Sequence, residues 1–253
     1  MVRRAVHVLE ALARSDIRMR YGRGRLTMVK WLLDPYAAAG VYLLLVAFVL
    51  DRPGHAAGLS LACAIVPFQL VLMTVLNSLT SVQSRRSIVV NMRFERALIP
   101  FSSAVAEAVG FVATLTLLAV MMVAYGVEPT PALLWLPVLV AATFAVAVAV
   151  AYPVALVGVW FPESRPIMLS LTRAAFFVAP GVVALDEIAG STADWLKANP
   201  LTGLFEAYRS VFLDGTSPAA WELLLPCGFA VLTLALFVPL FRHEGPQLVK
   251  LVE

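Results

Sequence analysis

Six long apolar runs, separated by short polar segments, constrain the fold of this chain more than any other feature. A soluble domain carries about a quarter charged residues, but only 14% of these 253 residues are charged and 61% are apolar. Runs that are apolar on every face are expected in lipid. Because lipid offers no hydrogen-bond partners, each run must form a helix in which its own backbone N–H and C=O groups are paired. The sequence therefore predicts an all-α polytopic membrane protein with six transmembrane helices, at 33–50, 58–80, 101–125, 132–159, 167–185 and 219–241.

The positions of the basic residues predict the orientation of these helices. With the N-terminus in the cytoplasm, six crossings return the C-terminus to the cytoplasm, and sixteen of the nineteen lysines and arginines fall in cytoplasmic segments. That count takes Arg165 and Arg173 as cytoplasmic and leaves Arg52, Lys197 and Arg209 outside. Because Lys and Arg are retained on the cytoplasmic side, we expect both termini of this multi-pass protein to be cytoplasmic.

Residues 1–30 predict an N-terminal amphipathic helix that lies along the membrane surface. Apolar residues recur at helical spacing on one side, from Val2 through Leu9 to Ile17, and basic residues occupy the other side. This pattern is typical of an interfacial helix, and it lacks the short apolar core of a cleavable signal peptide. A basic tail without a further role is the alternative. The basic side includes Arg3, Arg4, Arg14 and Arg18.

A short basic segment, residues 83–100, separates the second and third apolar runs. It is too polar to lie in a bilayer and too short to be a domain, and Ile88, Val89 and Met92 recur at roughly helical spacing beside arginines. The pattern predicts a short amphipathic helix on the cytoplasmic face, which we interpret as the docking point of a soluble motor protein. The charged residues assigned to this coupling are Arg85, Arg86, Arg93, Glu95 and Arg96.

Residues 186–218 form the only long segment predicted on the external side. Asn199-Pro200 is a helix start, because Asn caps helices and Pro suits the first helical position. The sequence that follows, LTGLFEAYRSVFL at 201–213, is half apolar, too short to cross a bilayer, and places Glu206 and Arg209 three residues apart. We expect a re-entrant helix that dips into the outer leaflet; the alternative is a surface helix that covers the ends of the fifth and sixth crossings.

The chain lacks the residues of the common nucleotide and catalytic sites. A P-loop requires Gly-Lys before Ser or Thr, and none of the lysines follows glycine. No HExxH or CxxC occurs, and both cysteines fall inside apolar runs, where we expect packing residues without a disulfide. Ion-coupled transporters usually carry charges within their crossings, and Glu107 is the main exception here. We therefore expect no cofactor, no metal and no enzymatic activity in this chain, and energy supplied by a separate protein.

These features, in their order along nearly the whole chain, resemble the permease subunits of type-2 ABC exporters, in the branch that exports O-antigen, teichoic acid, capsule and galactan. The segment RSDIRMRYGRGRLTMVKWLLDP, residues 14–35, has the Arg-Tyr pair, Leu, Trp and Pro that this family shows before its first crossing. The basic segment ends in Pro100, and the external segment carries Asn-Pro and then an aromatic–Arg pair, Tyr208-Arg209. The ordered set covers the chain from its N-terminal helix to its last crossing.

The resemblance implies the permease half of an ATP-driven exporter. Such a protein is a single transmembrane domain, here residues 1–253, in the bacterial inner membrane, and it works as a homodimer with two copies of a P-loop ATPase that binds ATP and Mg. Its cargo would be a polysaccharide linked to an undecaprenyl-type diphosphate lipid. Two departures from the family, Thr27 after Leu26 in place of Gly and ESR at 163–165 in place of Arg-Asp, leave the exact substrate open.

The resemblance also implies roles for individual residues. The helix at 83–100 would enter a cleft on the ATPase, and the N-terminal arginines would attract either the diphosphate or anionic lipid headgroups. Aromatic rings suit a path for sugars, because the C–H faces of sugars stack on them. The residues along that path would be Phe68, Phe101, Tyr152 and Trp160, and those at the external gate Asn199, Pro200, Tyr208 and Arg209.

Two other functions fit parts of the pattern. The same fold could export a drug, an antibiotic or a small lipid, and a partner ATPase without a carbohydrate-binding extension would indicate that cargo. A membrane enzyme that acts on lipid would need Asp, His or Arg clustered at one membrane surface. Asp186, Glu187 and Asp194 come nearest to such a cluster, and the sequence offers them no convincing partner.

Overall fold

The structure, a computed structural model, describes residues 7–13, 15–16, 33, 36–37, 40, 56–86, 95–188 and 190–252. The regular structure of these residues is entirely helical, as the sequence predicts. Short 3₁₀ turns precede α2, α3, α4 and α5, at Gln83–Arg85, Pro131–Trp135, Pro162–Ser164 and Leu185–Glu187. The α-helices that can be bounded are α1 (Ala57–Thr80), α2 (Leu98–Tyr125), α3 (Leu136–Trp160), α4 (Arg165–Val178), α5 (Ser191–Lys197), α6 (Pro200–Phe212) and α7 (Ala220–Val252).

Among the described residues, four helices are long and apolar enough to cross a membrane. They are α1, α2, α3 together with the turn before it (Pro131–Trp160), and α7 as far as Glu244. They coincide with the crossings predicted at 58–80, 101–125, 132–159 and 219–241. Four such helices indicate a multi-pass membrane protein. The crossing predicted at 33–50 lies almost entirely outside the described residues, so the structure tests the predicted total of six only in part.

The fifth predicted crossing, 167–185, differs from the structure. Helix α4 has fourteen residues, which is about 21 Å at the rise of an α-helix and shorter than the ~30 Å hydrocarbon core. Pro180 ends it, because proline cannot donate the next helical hydrogen bond and disfavours helical geometry at the residue before it. Residues 179–184 continue as irregular, partly buried chain, so the prediction of a continuous helix to Leu185 is wrong.

Helix α1 is the centre of the bundle and packs against α2, α3, α4 and α6, while α3 also packs against α7. The close approach of α1 and α3 requires glycine at position 158, since a Cβ there would lie 1.8 Å from the carbonyl oxygen of Leu79. Lipid is as apolar as the helices, so helices associate in membranes through close packing at small residues. Gly158 supplies such a contact where the two helices end.

The bundle has two ends that carry different sites. The basic end comprises the Gln83–Arg85 turn, the start of α2 and the ends of α3 and α7, whereas the distal end comprises the start of α1 and the turn between α2 and α3. Helix α2 begins at Leu98, three residues before the predicted start at 101, so Pro100 lies inside its first turn. A proline is tolerated there because the first N–H groups of a helix have no intrahelical partner.

Helix α6 lies beside α1 in the distal half of the bundle. The ring of Phe205, in the middle of α6, is 6.4 Å from the ring of Phe68. Phe68 is the twelfth of the 24 residues of α1. The middle of α6 therefore lies at about the level of the midpoint of α1, and α6 packs there against protein on its apolar side.

Candidate coupling segment and buried arginine networks

The basic segment predicted to dock a partner is described at its two ends. A 3₁₀ turn at Gln83–Arg85 directly follows α1, and Glu95 to Ala97 form an irregular turn before α2. Residues 87–94, which include Arg93, lie outside the described residues. Residues 98–100 belong to α2, so the amphipathic helix predicted for 83–100 does not extend over its full length.

Arg85 is buried in this segment, with 2% of its side chain exposed. Its guanidinium forms an ion pair with Asp16 in the N-terminal helical residues and donates a 3.3 Å hydrogen bond to the carbonyl oxygen of Ile99 in α2. Burial raises the pKa of Asp16 above its ordinary value, and the charge of Arg85 opposes that shift. Arg85 therefore joins the N-terminal helix to α1 and α2 and does not present its charge at the surface.

Hydrogen bonds also attach the basic segment to α3. Gln83 Nε2 donates to the carbonyl oxygen of Gly158 at 2.8 Å. The hydroxyl of Tyr152 donates to the carbonyl oxygen of Ala97 at 3.0 Å. One bond lies at each flank of the segment, so a displacement of either flank acts directly on the end of α3.

The surface of the basic segment is formed by other charged residues. Arg86 is exposed and Arg96 is half-buried. Glu95 forms an ion pair at 2.6 Å with Arg242 near the end of α7, and the side chains stay 48% and 61% exposed. Of the residues assigned to coupling, Arg86 and Glu95 are therefore the ones that a partner protein can reach in the described part of the chain.

The N-terminal arginines Arg3, Arg4, Arg14 and Arg18 lie outside the described residues. Residues 7–13 and 15–16 are helical, in agreement with the predicted helix over this region. Leu12 and Ala13 are buried whereas His7 and Glu10 are exposed. The described part of the segment is therefore amphipathic, with its apolar side against protein.

Phe68, the first of the aromatic residues predicted to line a substrate path, lies in the core of a single copy. Its side chain is 6% exposed. Its ring centroid is 4.8 Å from that of Phe176 in α4 and 6.4 Å from that of Phe205 in α6, and the latter two rings are 5.8 Å apart. These three rings join α1, α4 and α6 at mid-depth.

The other three path candidates lie toward the basic end, in different surroundings. Tyr152 is 6% exposed and contacts the ring of Phe241 at 5.9 Å. Phe101 is half-buried against Phe144, with ring centroids 6.2 Å apart. Trp160 at the end of α3 is 46% exposed. Of the four path candidates, it alone has an exposed ring in a single copy.

Arg209 forms a second buried network, in the distal half of the bundle. It is 2% exposed and pairs with Glu206, three residues earlier, at 2.6 Å. The same guanidinium donates to the carbonyl oxygens of Pro180 at 3.3 Å and Gly181 at 3.2 Å. Its Nε donates to the hydroxyl of Ser60 in α1 at 3.1 Å. Arg209 thus joins α6, α1 and the irregular chain after α4.

This network satisfies backbone groups that the end of α4 leaves without helical partners. A carbonyl without a hydrogen bond at membrane depth costs several kcal/mol. Glu206 accepts the N–H of Leu185 at 3.1 Å, so one ion pair holds both ends of the irregular stretch 179–185. Partial burial and the nearby charge of Asp186 raise the pKa of Asp214 at this end, and Arg209 opposes the shift.

The remaining residues predicted at the external gate also belong to α6. Asn199 Oδ1 accepts the N–H of Leu201 at 3.0 Å and Pro200 is the first helical residue, which confirms the predicted helix start. Tyr208 is fully buried, and its hydroxyl lies 3.2 Å from that of Thr143 in α3. These contacts fix α6 to the bundle and leave the ring of Tyr208 inside a single copy.

Two charged residues lie within helices of the bundle. Glu107 in α2 is 8% exposed and accepts a hydrogen bond from Asn77 in α1. Arg173, counted above as cytoplasmic, lies inside α4, one turn before Phe176, and its side chain is exposed. The apolar residues on both sides of it in the sequence were the signal for this position. In the described part of the chain, no three His, Cys, Asp or Glu residues are grouped to hold a metal ion.

Curated relatives match most of the chain. It is 25% identical to "O-antigen export system permease protein RfbA" of Myxococcus xanthus, over 90% of this chain and 88% of the relative. Two proteins of the same name from Klebsiella pneumoniae are each 21% identical, over 83% and 82% of this chain and 81% of each relative. No protein-family model matches the sequence. The resemblance to O-antigen export permeases is confirmed by these relatives, whose name is that of a transport subunit.

Proposed function

We propose that this chain is the transmembrane permease subunit of an ATP-driven ABC exporter that moves a lipid-linked polysaccharide from the cytoplasmic to the outer side of the bacterial inner membrane. The observation that carries the proposal is the match to O-antigen export permeases over most of both chains. No P-loop sequence occurs here. ATP and Mg would therefore be bound by a separate ATPase subunit.

The working unit in this proposal is a homodimer of the permease with two copies of the ATPase and with its termini in the cytoplasm. Large apolar side chains of α2 and α7 are exposed in a single copy, among them Val123 at 82% and Leu224 at 70%. Surfaces of this kind suit lipid or a second copy of the same chain. They do not suit water, which supports a membrane-embedded assembly.

The ATPase would dock on the basic segment, residues 83–100. Arg86 and Glu95 offer charge at its surface. The flanks of the segment are bonded to α3 through Gln83 and Tyr152 and to α7 through Glu95. A push on the segment would therefore move the basic ends of two long helices and the N-terminal helix together.

The cargo would enter at the basic end and leave at the distal end. The N-terminal arginines Arg3, Arg4, Arg14 and Arg18 would meet the diphosphate at the membrane surface. Trp160, exposed at the basic end, is the path candidate that a sugar can reach in a single copy. At the distal end, α6 and its Arg209 network would form the outer gate, because the bonds of Arg209 hold residues 179–185 against α1.

Co-purification of a tagged copy with the ATPase encoded beside it, followed by ATP hydrolysis in lipid, tests this function. We expect a stable complex with two copies of each chain, whose hydrolysis rate changes when lipid-linked glycan is added. A stable complex that is indifferent to glycan would indicate an exporter of a drug, an antibiotic or a small lipid. The absence of a complex with any P-loop protein would contradict the exporter.

A matched pair of variants tests the docking segment in the same assay. Arg93→Glu reverses a charge in the basic segment and should weaken ATPase binding. Lys197→Glu reverses an exposed charge in α5, far along the chain in the segment predicted to be external, and should leave binding unchanged. Equal binding by both variants would contradict docking at 83–100.

A further inference from the structure

Arg173 is an exposed cation that has no partner among the described residues of a single copy. It lies in α4 between Thr172 and Ala174, and its side chain is exposed. None of the described residues forms an ion pair or a hydrogen bond with its guanidinium. Neither the sequence resemblance nor the relatives assign this residue a role.

The depth of Arg173 follows from its neighbour Phe176. The Phe176 ring packs 4.8 Å from the ring of Phe68, which is the twelfth of the 24 residues of α1. Arg173 lies three residues before Phe176, or roughly 5 Å nearer the basic end at the rise of an α-helix. Its Cα is therefore close to the midpoint level of a helix long enough to cross the membrane.

Lipid is a poor environment for a charge at this level. Placing an Arg side chain at the centre of a transmembrane helix is energetically unfavourable, and such residues face a bundle interior or a water-filled cavity. Long side chains escape this cost near helix ends by extending to the headgroups. Arg173 lies about 12 Å along α4 from Arg165, too far for that escape.

None of the described carboxylates pairs with Arg173. Glu206, which follows Phe205 at about this level, is paired with Arg209 and accepts the N–H of Leu185. The predicted crossing at 33–50 has acidic residues only where it begins and just after it ends, Asp34 and Asp51. Residues 17–32 contain none. In the described bundle, Glu107 is bonded to Asn77 near the basic end of α1. The charge of Arg173 must therefore be matched by water or by an anion from outside the chain.

The exposed side of α4 divides into two parallel strips. Residues four, three and four positions apart lie on one strip of a helix, and each of these strips is exposed throughout. The apolar strip can face lipid, whereas the strip that carries Arg173 cannot. The Arg173 strip consists of Pro166, Ser170, Arg173 and Phe177, and the apolar strip of Ile167, Leu171, Ala174 and Val178.

We propose that the Arg173 strip lines an aqueous path through the assembly and that Arg173 binds a phosphate group of the anionic lipid-linked cargo as it passes. The identity of the cargo rests on the proposed function. A guanidinium pairs with two phosphate oxygens at once and is the side chain best suited to such a group. Ser170, one turn away, places a hydroxyl beside the same position, and Phe177 on the other side offers a ring face to sugar.

Thiol labelling of the full-length protein with its ATPase, in lipid nanodiscs, tests the aqueous strip. Ser170→Cys and Leu171→Cys place a thiol on the two strips of the same helical turn, in a Cys227→Ala background; Cys63 is fully buried. A charged, water-soluble reagent should modify Ser170→Cys about tenfold faster than Leu171→Cys, because only a hydrated thiol ionises to the reactive thiolate. Equal rates for the two variants, whether fast or slow, would overturn the proposal.

Protection of the same thiol tests the ligand. A polyprenyl diphosphate should slow the labelling of Ser170→Cys several-fold, whereas the matching polyprenol and phosphatidylglycerol should not. The protection should disappear in Ser170→Cys combined with Arg173→Gln. Equal protection by the polyprenol, equal protection by phosphatidylglycerol, or protection that survives Arg173→Gln would each overturn the assignment of a phosphate of the cargo to Arg173.

These experiments distinguish failure of the Arg173 inference from failure of the proposed exporter function. The labelling contrast needs no cargo, so its absence refutes the aqueous strip whatever the protein exports. Stimulation of ATP hydrolysis by lipid-linked glycan is measured on the parental complex, in which Ser170 and Arg173 are unchanged. A parental complex that responds to glycan, together with a diphosphate that gives no protection, would overturn this inference and leave the exporter standing.

Discussion

Arg85 and Arg209 are both buried arginines paired with a carboxylate, but they stabilise different parts of the molecule. Arg209 pairs with Glu206 three residues earlier in α6 and uses its other donors on the backbone after α4. Arg85 pairs with Asp16, 69 residues away, in a separate helical segment. One arginine completes the hydrogen bonding of an interrupted helix inside the bundle, and the other attaches a peripheral helix to the bundle.

This difference determines what the loss of each side chain leaves behind. Without Arg209, two carbonyl oxygens and a largely buried carboxylate lose their partner in the interior, and water has little access to replace it. Without Arg85, the N-terminal helix can separate from the bundle, so that Asp16 and the Ile99 carbonyl regain water. The distal network should therefore control the stability of the whole bundle, and the basic end should control the attachment of its coupling elements.

The largest effect is expected from Arg209→Leu. Removal of one partner of a buried ion pair costs about 3–5 kcal/mol, because the other charge stays buried without compensation. The thermal midpoint of the detergent-solubilised protein should fall strongly, and the yield of folded protein with it.

Lys197→Met is the matched control for that variant. Lys197 pairs with Asp194 at the same three-residue spacing, but both side chains are largely exposed, at 47% and 76%. An exposed pair contributes about 0–1 kcal/mol, so the thermal midpoint should hardly move. Similar midpoints for Arg209→Leu and Lys197→Met would show that the distal network does not hold the bundle together.

A smaller and more local effect is expected from Arg85→Ala. Hydrogen bonds to charged groups contribute about 1.5–3 kcal/mol, and the loss should fall on the junction of the N-terminal helix with α1 and α2. Hydrogen exchange should rise in residues 7–16 while the amides of α3 and α6 keep their protection. Asp16→Asn should reproduce this pattern, and the double variant should add little, because both remove the same interaction.

Arg86→Ala serves as the control at the neighbouring position, since Arg86 is exposed. Its exchange pattern in residues 7–16 should match that of the parent protein. A rise in exchange spread evenly over the bundle in Arg85→Ala would contradict a local attachment role.

Tyr152→Phe should have a still smaller effect on stability. It removes the hydrogen bond from the hydroxyl to the Ala97 carbonyl and keeps the ring contact with Phe241. Hydrogen bonds between membrane helices contribute about 0.6 kcal/mol on average, so the thermal midpoint should shift slightly. The coupling of ATP hydrolysis to export should fall more than the midpoint indicates, and an unchanged ratio of export to hydrolysis would contradict this link.

The smallest stability effect is expected from Glu95→Gln. Its ion pair with Arg242 is about half exposed, and such pairs contribute less than about 1 kcal/mol. Added salt should weaken the pair in the parent protein as well. Stability should therefore stay unchanged while the salt dependence of ATPase coupling decreases, and a large drop in thermal midpoint would show that the pair is structural.

Local patterns in the sequence were sufficient for much of this description. The apolar runs predicted the long helices α1, α2, α3 and α7, and Asn199-Pro200 predicted the start of α6. Glu206 and Arg209, which the sequence places three residues apart, form an ion pair within that helix. In each case the residues that interact lie within one helical segment, so that periodicity and capping are visible without the rest of the fold.

Other features could not be predicted because they depend on contacts between segments distant in sequence. Arg85 looks like an exposed member of a basic segment, and only the packed structure shows Asp16 beside it. Phe68 looks like a candidate for an open path, but Phe176 and Phe205 enclose its ring. The irregular chain after Val178 persists because Arg209, from another helix, bonds its carbonyl groups.

The sequence by itself determined that this chain forms apolar helices for a membrane, because every backbone group in lipid must be bonded within its own segment. It also determined the resemblance to O-antigen export permeases, which its relatives confirm. The tertiary structure alone decided which charges are buried, which aromatic rings are enclosed, and that Arg173 lies near mid-depth on an exposed strip. The physical reason is that the environment of a side chain is set by its neighbours in space, and those come from other helices.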